Sequence, residues 1–396
     1  MENKPEIRFK GFTDDWEQCE LGEFGKATGG TSIESEFDKN GKYKVISIGS
    51  YSETNKYKDQ GIRTKKTKKT EKRILNKNDL TMILNDKTTS GNIIGRVLLI
   101  DADNSYVYNQ RTERIEVNEN DFDSKFLYQF LNSDKMRSKI IYAAQGNTQI
   151  YVNWNDISVL GYKLPILKEE QKKIGDFFNE VDQLITLHQR KVSNLKKVKS
   201  TMLEKMFPKD GEKVPEIRFK GFTDDWEQCK IYEMADRYDN LRVPIAANLR
   251  VPGDTPYYGA NGIQDYVEGY THNGEFVLVA EDGANDLKNY PVKYVKGHIW
   301  VNNHAHVLQG KTGFADNKFL AYSINRADIE DLLVGGGRAK LNAETLMNIE
   351  LILPRLNEQR AIGRLLNNLD TLINFHQREI ENLQRIKQTL LDKMFV

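Results

Sequence analysis

The sequence predicts an α+β protein. Two mixed, β-biased globular domains are separated by two long helices that pair as an antiparallel coiled coil with pseudo-two-fold symmetry. Three observations predict this. Residues 5–19 and 215–229 both read PEIRFKGFTDDWEQC, letter for letter. The segment from Glu170-Gln171 to Met206-Phe207 is matched by the segment from Glu358-Gln359 to Met394-Phe395. The stretches between these repeats share little sequence and differ in length. Repeats decide architecture before any local reading does, so one frame here carries two unlike inserts. The frame sets the expected boundaries: a first domain over 1–166, a long helix over 167–207 and a linker over 208–214. A second domain over 215–354 and a second long helix over 355–396 follow.

Each opening segment reads as an extended, turn-rich entry. In the first insert, Lys44–Ile48 and Ile93–Ile100 have strand composition, and Phe126–Tyr142 has helical spacing. Between the strand candidates runs a basic loop, Lys56–Arg73, with nine Lys and Arg against Asp59 and Glu71. The second insert is strand-like at Phe276–Ala280 and Ile299–Val301 and rich in aromatic and amide groups, as in Tyr257-Tyr258-Gly259-Ala260-Asn261-Gly262. Pro165 and Pro354 close the inserts. The first long helix then places apolar residues at steps of four and three, a heptad seam. The seam runs through Ile174, Val181, His188 and Leu195, and its second copy through Ile362, Leu369, His376 and Leu383. Lys199 and Lys387 are matching polar interruptions. Each helix would extend roughly 58 Å at 1.5 Å per residue. Alone, each would expose its stripe to water, so the helices pair.

Composition narrows the function classes. The net charge is +1, so affinity for nucleic acid must come from local patches. No apolar run approaches the length that spans a bilayer, and the first residues lack a signal-peptide core, so no membrane is expected and the location is cytoplasmic. Cys19 and Cys229 hold equivalent repeat positions and are expected to be reduced thiols. No catalytic residues and no metal site are expected. Gly310-Lys311-Thr312 lacks the upstream glycine of a phosphate loop, and Cys and His do not cluster. The basic loop is the best local signal: Lys65, Lys66, Lys68, Lys69, Lys72 and Arg73 are candidates for the DNA backbone. Amide, Arg and hydroxyl groups that could reach base edges are Asn85, Lys87, Thr88, Thr89, Asn147 and Gln149 in the first domain. In the second they are Arg242, Tyr257, Tyr258, Asn261, Asn302, Asn303, Arg338 and Lys340, with the tyrosines equally readable as core.

The chain resembles the specificity subunits of bacterial type I restriction–modification systems. The resemblance is carried by PEIRFKGFTDDWE opening both halves, by the Tyr-Tyr-Gly-Ala-Asn-Gly run, and by Gly146–Gln149 and Gly337–Lys340. After each comes a Pro, then Glu-Gln, then a long helix ending Lys-Met-Phe. It implies a non-catalytic subunit whose two inserts are target recognition domains, each reading half of a bipartite, asymmetric site in double-stranded DNA. It further implies a helical rod that docks two methylation subunits, with restriction subunits added in the full complex. The chain would bind no cofactor; S-adenosylmethionine, and ATP with Mg, belong to the partners. A coiled-coil interaction scaffold that binds no DNA is the competing reading.

Overall fold

The computed structural model describes residues 3–335 and 339–396. Two units emerge. The first runs to residue 189 and takes in 378–396; the second covers 190–377. Each contains one insert, the start of the long helix that follows it, and the end of the other long helix.

The duplicated letters build a duplicated frame. In the first unit the strand Glu17–Glu20 pairs antiparallel with Gly161–Leu164; in the second, Glu227–Lys230 pairs with Glu350–Leu353. Cys19 and Cys229 sit at the same register of these ladders, both as free thiols. Burial and the neighbouring Glu23 and Glu233 push the thiols up to about 12 and about 11.

A short helix follows each insert's main sheet, Ser124–Asn132 in one unit and Asn317–Arg326 in the other. Asp123 and Asp316 cap them, accepting from the N–H groups of Phe126 at 2.8 Å and Phe319 at 3.0 Å. Such a cap satisfies a donor the helix itself cannot. The long helices run Lys168–Lys205 and Leu356–Met394.

Within each unit the two helix segments pair antiparallel, and the polar seam residues explain the register. Lys387 Nζ lies 2.8 Å from both carboxylate oxygens of Asp182; Lys199 Nζ lies 2.6 and 2.8 Å from those of Asp370. Each carboxylate also accepts from its own unit, Asp182 from Gln129 and Asp370 from Tyr322, at 2.7 and 2.6 Å. Ile174, Val181, Ile362 and Leu369 are buried in the seam; His188, Leu195, His376 and Leu383 are half-buried.

The helix ends are core residues. Phe395 packs among Phe126, Phe130 and Phe178 in the first unit. Phe207 stacks on Phe319 and meets Trp226 edge-on in the second. Burying one such ring is worth about 1.5–3 kcal/mol.

The inserts differ. The first has an antiparallel sheet in the order Gly25–Gly29, Thr112–Val117, Leu80–Ile83, Val97–Leu99, and a second sheet of Arg63–Thr64, Tyr43–Ile46 and Tyr106–Tyr108. The second is built on one six-stranded sheet centred on His272–Ala280 and Val292–Val301.

Two expectations need correction. The helix expected over 126–142 breaks at Ser133 (φ −65°, ψ 144°), which ends Ser124–Asn132 and precedes Asp134–Tyr142. The stretch 56–73 is not all loop: it contains Arg63–Thr64 in a sheet and a helical turn over Lys68–Glu71 capped by Thr67. Among the described residues, no helix is long and apolar enough to cross a membrane.

Gly175 and Gly363 let each long helix touch the N-terminus of the short one. A Cβ at Gly175 would stand 2.6 Å from Phe126 N and 2.7 Å from Asp123 Oδ1; at Gly363, 2.7 Å from Asp316 Oδ1 and 2.8 Å from Phe319 N. Gly175→Ala and Gly363→Ala are each expected to lower stability by roughly 1–3 kcal/mol. Urea unfolding checks this, and unchanged midpoints would refute the close contact.

Candidate nucleic-acid interface

In the first unit Lys65, Lys66, Lys68, Lys69 and Lys72 are exposed. The Thr67 cap fixes the turn that carries them: its hydroxyl accepts from Thr70 N at 3.2 Å. Lys66 pairs with Glu71 at 3.1 Å across an exposed gap, a contact worth little against water. Arg73 is placed differently. Its guanidinium lies over the Tyr108 ring and donates to the Gly29 carbonyl at 2.7 Å and to Tyr108 Oη at 3.0 Å.

The amide and hydroxyl candidates of this unit come together. Asn85–Asp86 pairs antiparallel with Ile150–Tyr151. That register sets Lys87, Thr88 and Thr89, which follow one strand, beside Asn147 and Gln149, which precede the other. All five are exposed, whereas Asn85 is buried. The Thr88 hydroxyl donates to Asp86 at 3.0 Å.

A cleft of about 570 Å³ is lined in part by Gly29, Asn85, Arg111, Glu113, Tyr151 and Trp154. Glu113 is 5% exposed and hydrogen-bonds no side chain or backbone group through its carboxyl among the described residues. Burial pushes that carboxyl up to about 7, against the opposing charge of Arg73. Arg111 holds φ at +66°, and its carbonyl accepts from Leu84 N at 2.9 Å. Sequence reading missed this group. The available signal was alternation: Glu113 falls on the same strand face as Ile115, a core residue.

In the second unit the predicted residues divide. Tyr257 is 1% exposed, stacks near Trp300, and its hydroxyl accepts from Ile245 N at 2.9 Å. Tyr258 and Asn302 are buried, and Asn302 Oδ1 accepts from His304 N. Arg242 pairs with Glu281 at 2.7 Å and donates to the Ala305 carbonyl at 2.9 Å. These four side chains hold the domain together, so the expectation that they present edges to a ligand is corrected. Asn261, Asn303 and Lys340 are exposed. Asn261 bridges Gly283 O and Asn285 N, and Lys340 reaches Glu281 at 2.9 Å. Arg338 lies outside the described residues.

Asp239, Glu281 and His306 offer ligand atoms within 4.8 Å of one another. Their partners already serve them. His306 Nδ1 lies 2.7 Å from Asp239 and Nε2 lies 2.9 Å from the Leu341 carbonyl, while Arg242 and Lys340 cover Glu281. Burial alone would raise both carboxylates; the bonds from His306, Arg242 and Lys340 hold them below the usual range. A metal ion would have to displace two cations, so the cluster is a structural network.

The family model for the type I restriction modification DNA specificity domain matches residues 13–197 and again 223–385. This chain belongs to that family. The MjaVIII type I restriction enzyme specificity subunit of Methanocaldococcus jannaschii is 23% identical over 99% of this chain and 94% of its own length. S.HindORF215P of Haemophilus influenzae is 46% identical over 140 residues, a match that spans 35% of this chain and 36% of that protein. The crystal structure of the M. genitalium type I S subunit shares the fold across 99% of both chains, with a TM-score of 0.77 at 17% identity. DNA sequence recognition is the function class of specificity subunits, and they are non-catalytic and carry no cofactor of their own.

The raised Glu113 carboxyl has a consequence for folding. Folded, it keeps its proton to about pH 7; unfolded, it releases it near the ordinary 4.5. The native state then binds more protons in that window, so this group's contribution falls as pH rises through it. Glu113→Gln removes the loss. The variant should exceed the parent's stability at pH 8 by up to about 3 kcal/mol and match it at pH 4. Urea midpoints at the two pH values decide; an equal difference at both would refute the assignment.

Proposed function

We propose that this specificity subunit reads a split, asymmetric site in double-stranded DNA, one insert per half-site. The observation that carries this reading is the doubled frame: matching caps, ion pairs, helix ends and a common four-strand order support two inserts that differ in their added strands and in surface chemistry. Two unlike readers on one repeated support produce two unlike half-sites. In the first half, the exposed lysines of 65–72 meet phosphates and the tips at 87–89 and 147–149 approach base edges. In the second, Asn261 and Asn303 are exposed candidates for contact, while Lys340, also exposed, is engaged with Glu281.

The long helices also carry apolar residues that the seam does not bury. Leu184, Leu187 and Val198 are exposed on the first helix, and Leu372, Phe375 and Ile386 stand exposed at the matching positions of the second. Two equal patches fit two copies of one partner, and methylation subunits are the partners this reading assigns. S-adenosylmethionine, and ATP with Mg on restriction subunits, then belong to those partners.

The first test is a methylation map. This chain, expressed with a methylation subunit in a host lacking such systems, should produce one bipartite N6-methyladenine motif with a constant gap. No new methylation, with the partner active beside another specificity chain, would move the assignment to a coiled-coil scaffold. In solution, replacing Lys65, Lys66, Lys68 and Lys69 together by Ala should weaken binding to all duplexes alike. The slope of log affinity against log salt should drop by up to about three to four, close to one per phosphate contact; an unchanged slope removes this turn from the interface. Leu187→Glu with Phe375→Glu should abolish co-purification of the methylation subunit and leave urea midpoints unchanged.

A further inference from the structure

We infer that Glu113 is a specificity-determining residue of the first half-site, accepting a hydrogen bond from the exocyclic amine of a cytosine or adenine. The inference rests on the DNA-reading function proposed above and names one residue that performs it.

Position is the first argument. The Glu113 cleft is joined to both sets of candidate contacts. Arg73, at the end of the basic stretch, donates to the carbonyl of Gly29 on one wall. Asn85 and Tyr151 on the other wall are strand partners whose neighbours are the exposed tips at 87–89 and 147–149. A duplex whose phosphates met the basic turn and whose bases met those tips would lie across the mouth of this cleft.

Chemistry is the second argument. Buried polar groups are almost always paired, because an unmet bond costs the group its lost hydration. Glu113 is buried as a residue, no described residue donates to its carboxyl, and its oxygens are not among the buried atoms that lack a partner, so what it exposes is the carboxyl, into the cleft it borders. A carboxylate is an acceptor only, and the donors on base edges in the major groove are the amines of cytosine and adenine; Glu and Asp are suited to cytosine N4. Arg111, exposed beside it in a strained backbone conformation, adds a guanidinium at the rim. Backbone strain held in place by a neighbouring bond, here Leu84 N to Arg111 O, is a feature of functional sites.

The second unit supplies a contrast. Its buried carboxylate, Glu281, already receives a cation on each oxygen, from Arg242 and from Lys340.

The test compares the methylation motifs written by the parent complex and by Glu113→Gln, which keeps the side chain's shape. The variant should change or relax the motif in one half only, leaving the other half and the gap as they were. Binding then locates the contact. With purified chain, each amine-bearing base of that half-site is replaced in turn by an analogue lacking the amine. The parent should lose roughly tenfold to a hundredfold at one position, and Glu113→Gln should lose nothing further there. An unaltered motif in a variant that folds and methylates, or equal losses for both proteins at every position, overturns the assignment of Glu113 alone. Absence of any split motif from the parent overturns the DNA-reading function, and this inference with it.

Discussion

The rest of each unit depends on two side chains at the start of its long helix. Glu170 is 1% exposed, and its carboxylate receives two bonds from Arg8, at 2.6 and 2.7 Å. Arg8 also donates to the Asp14 carbonyl, closing the entry segment on itself. Gln171 accepts from Asp123 N and donates to the Pro165 carbonyl, so one amide ties the short helix's cap to the chain entering the long helix. Arg218, Glu358 and Gln359 repeat every one of these bonds in the second unit, down to Asp224 O, Asp316 N and Pro354 O. A buried charge pair gains little over an apolar pair, but losing one partner costs roughly 3–5 kcal/mol. Its value here is geometric. Fork against carboxylate fixes orientation; the entry segment and long helix are joined by residues of the repeats, and the insert adds only the Asp123 or Asp316 cap and the Pro165 or Pro354 carbonyl.

That independence explains why the inserts can differ so far. The frame is held by backbone groups of the insert's ends and by side chains that the repeats supply. Asp182 and Asp370 do reach into their own units, but to Gln129 and Tyr322 on the short helices, not to the reading surfaces. An insert therefore needs only a sheet, a capped helix and a closing strand in the right places. The first meets this with sheets of four, three and two strands and the second with one of six.

The frame was readable in the sequence because its signals are local or periodic. Fifteen repeated letters, a heptad step and matching lysines at 199 and 387 need no knowledge of distant contacts. The surface was less legible for the same reason inverted. Whether Tyr257 or Asn302 faces solvent depends on strands that the sequence leaves unpaired; both are buried. Lys65 and Lys68 are exposed, as charge alone keeps such side chains. Glu113 escaped notice because a single carboxylate in a strand looks like an ordinary edge residue until its neighbours are known.

Unpaired polar atoms can then be sorted by whether they are doubled. The indole N–H groups of Trp16 and Trp226 both lack a partner among the described residues. They hold equivalent positions against equivalent rings, Phe126 and Phe319, so their state follows from the frame. Whatever the frame requires appears twice. Glu113 differs in kind: its strand matches Ala305–Gly310 of the second unit, where buried His306 holds the equivalent place and bonds Asp239 and the Leu341 carbonyl, whereas no described residue donates to the Glu113 carboxyl and burial holds it at about 7. A position that the frame repeats, satisfied in one unit and left without a donor in the other, is one where the insert rather than the frame sets the residue's role.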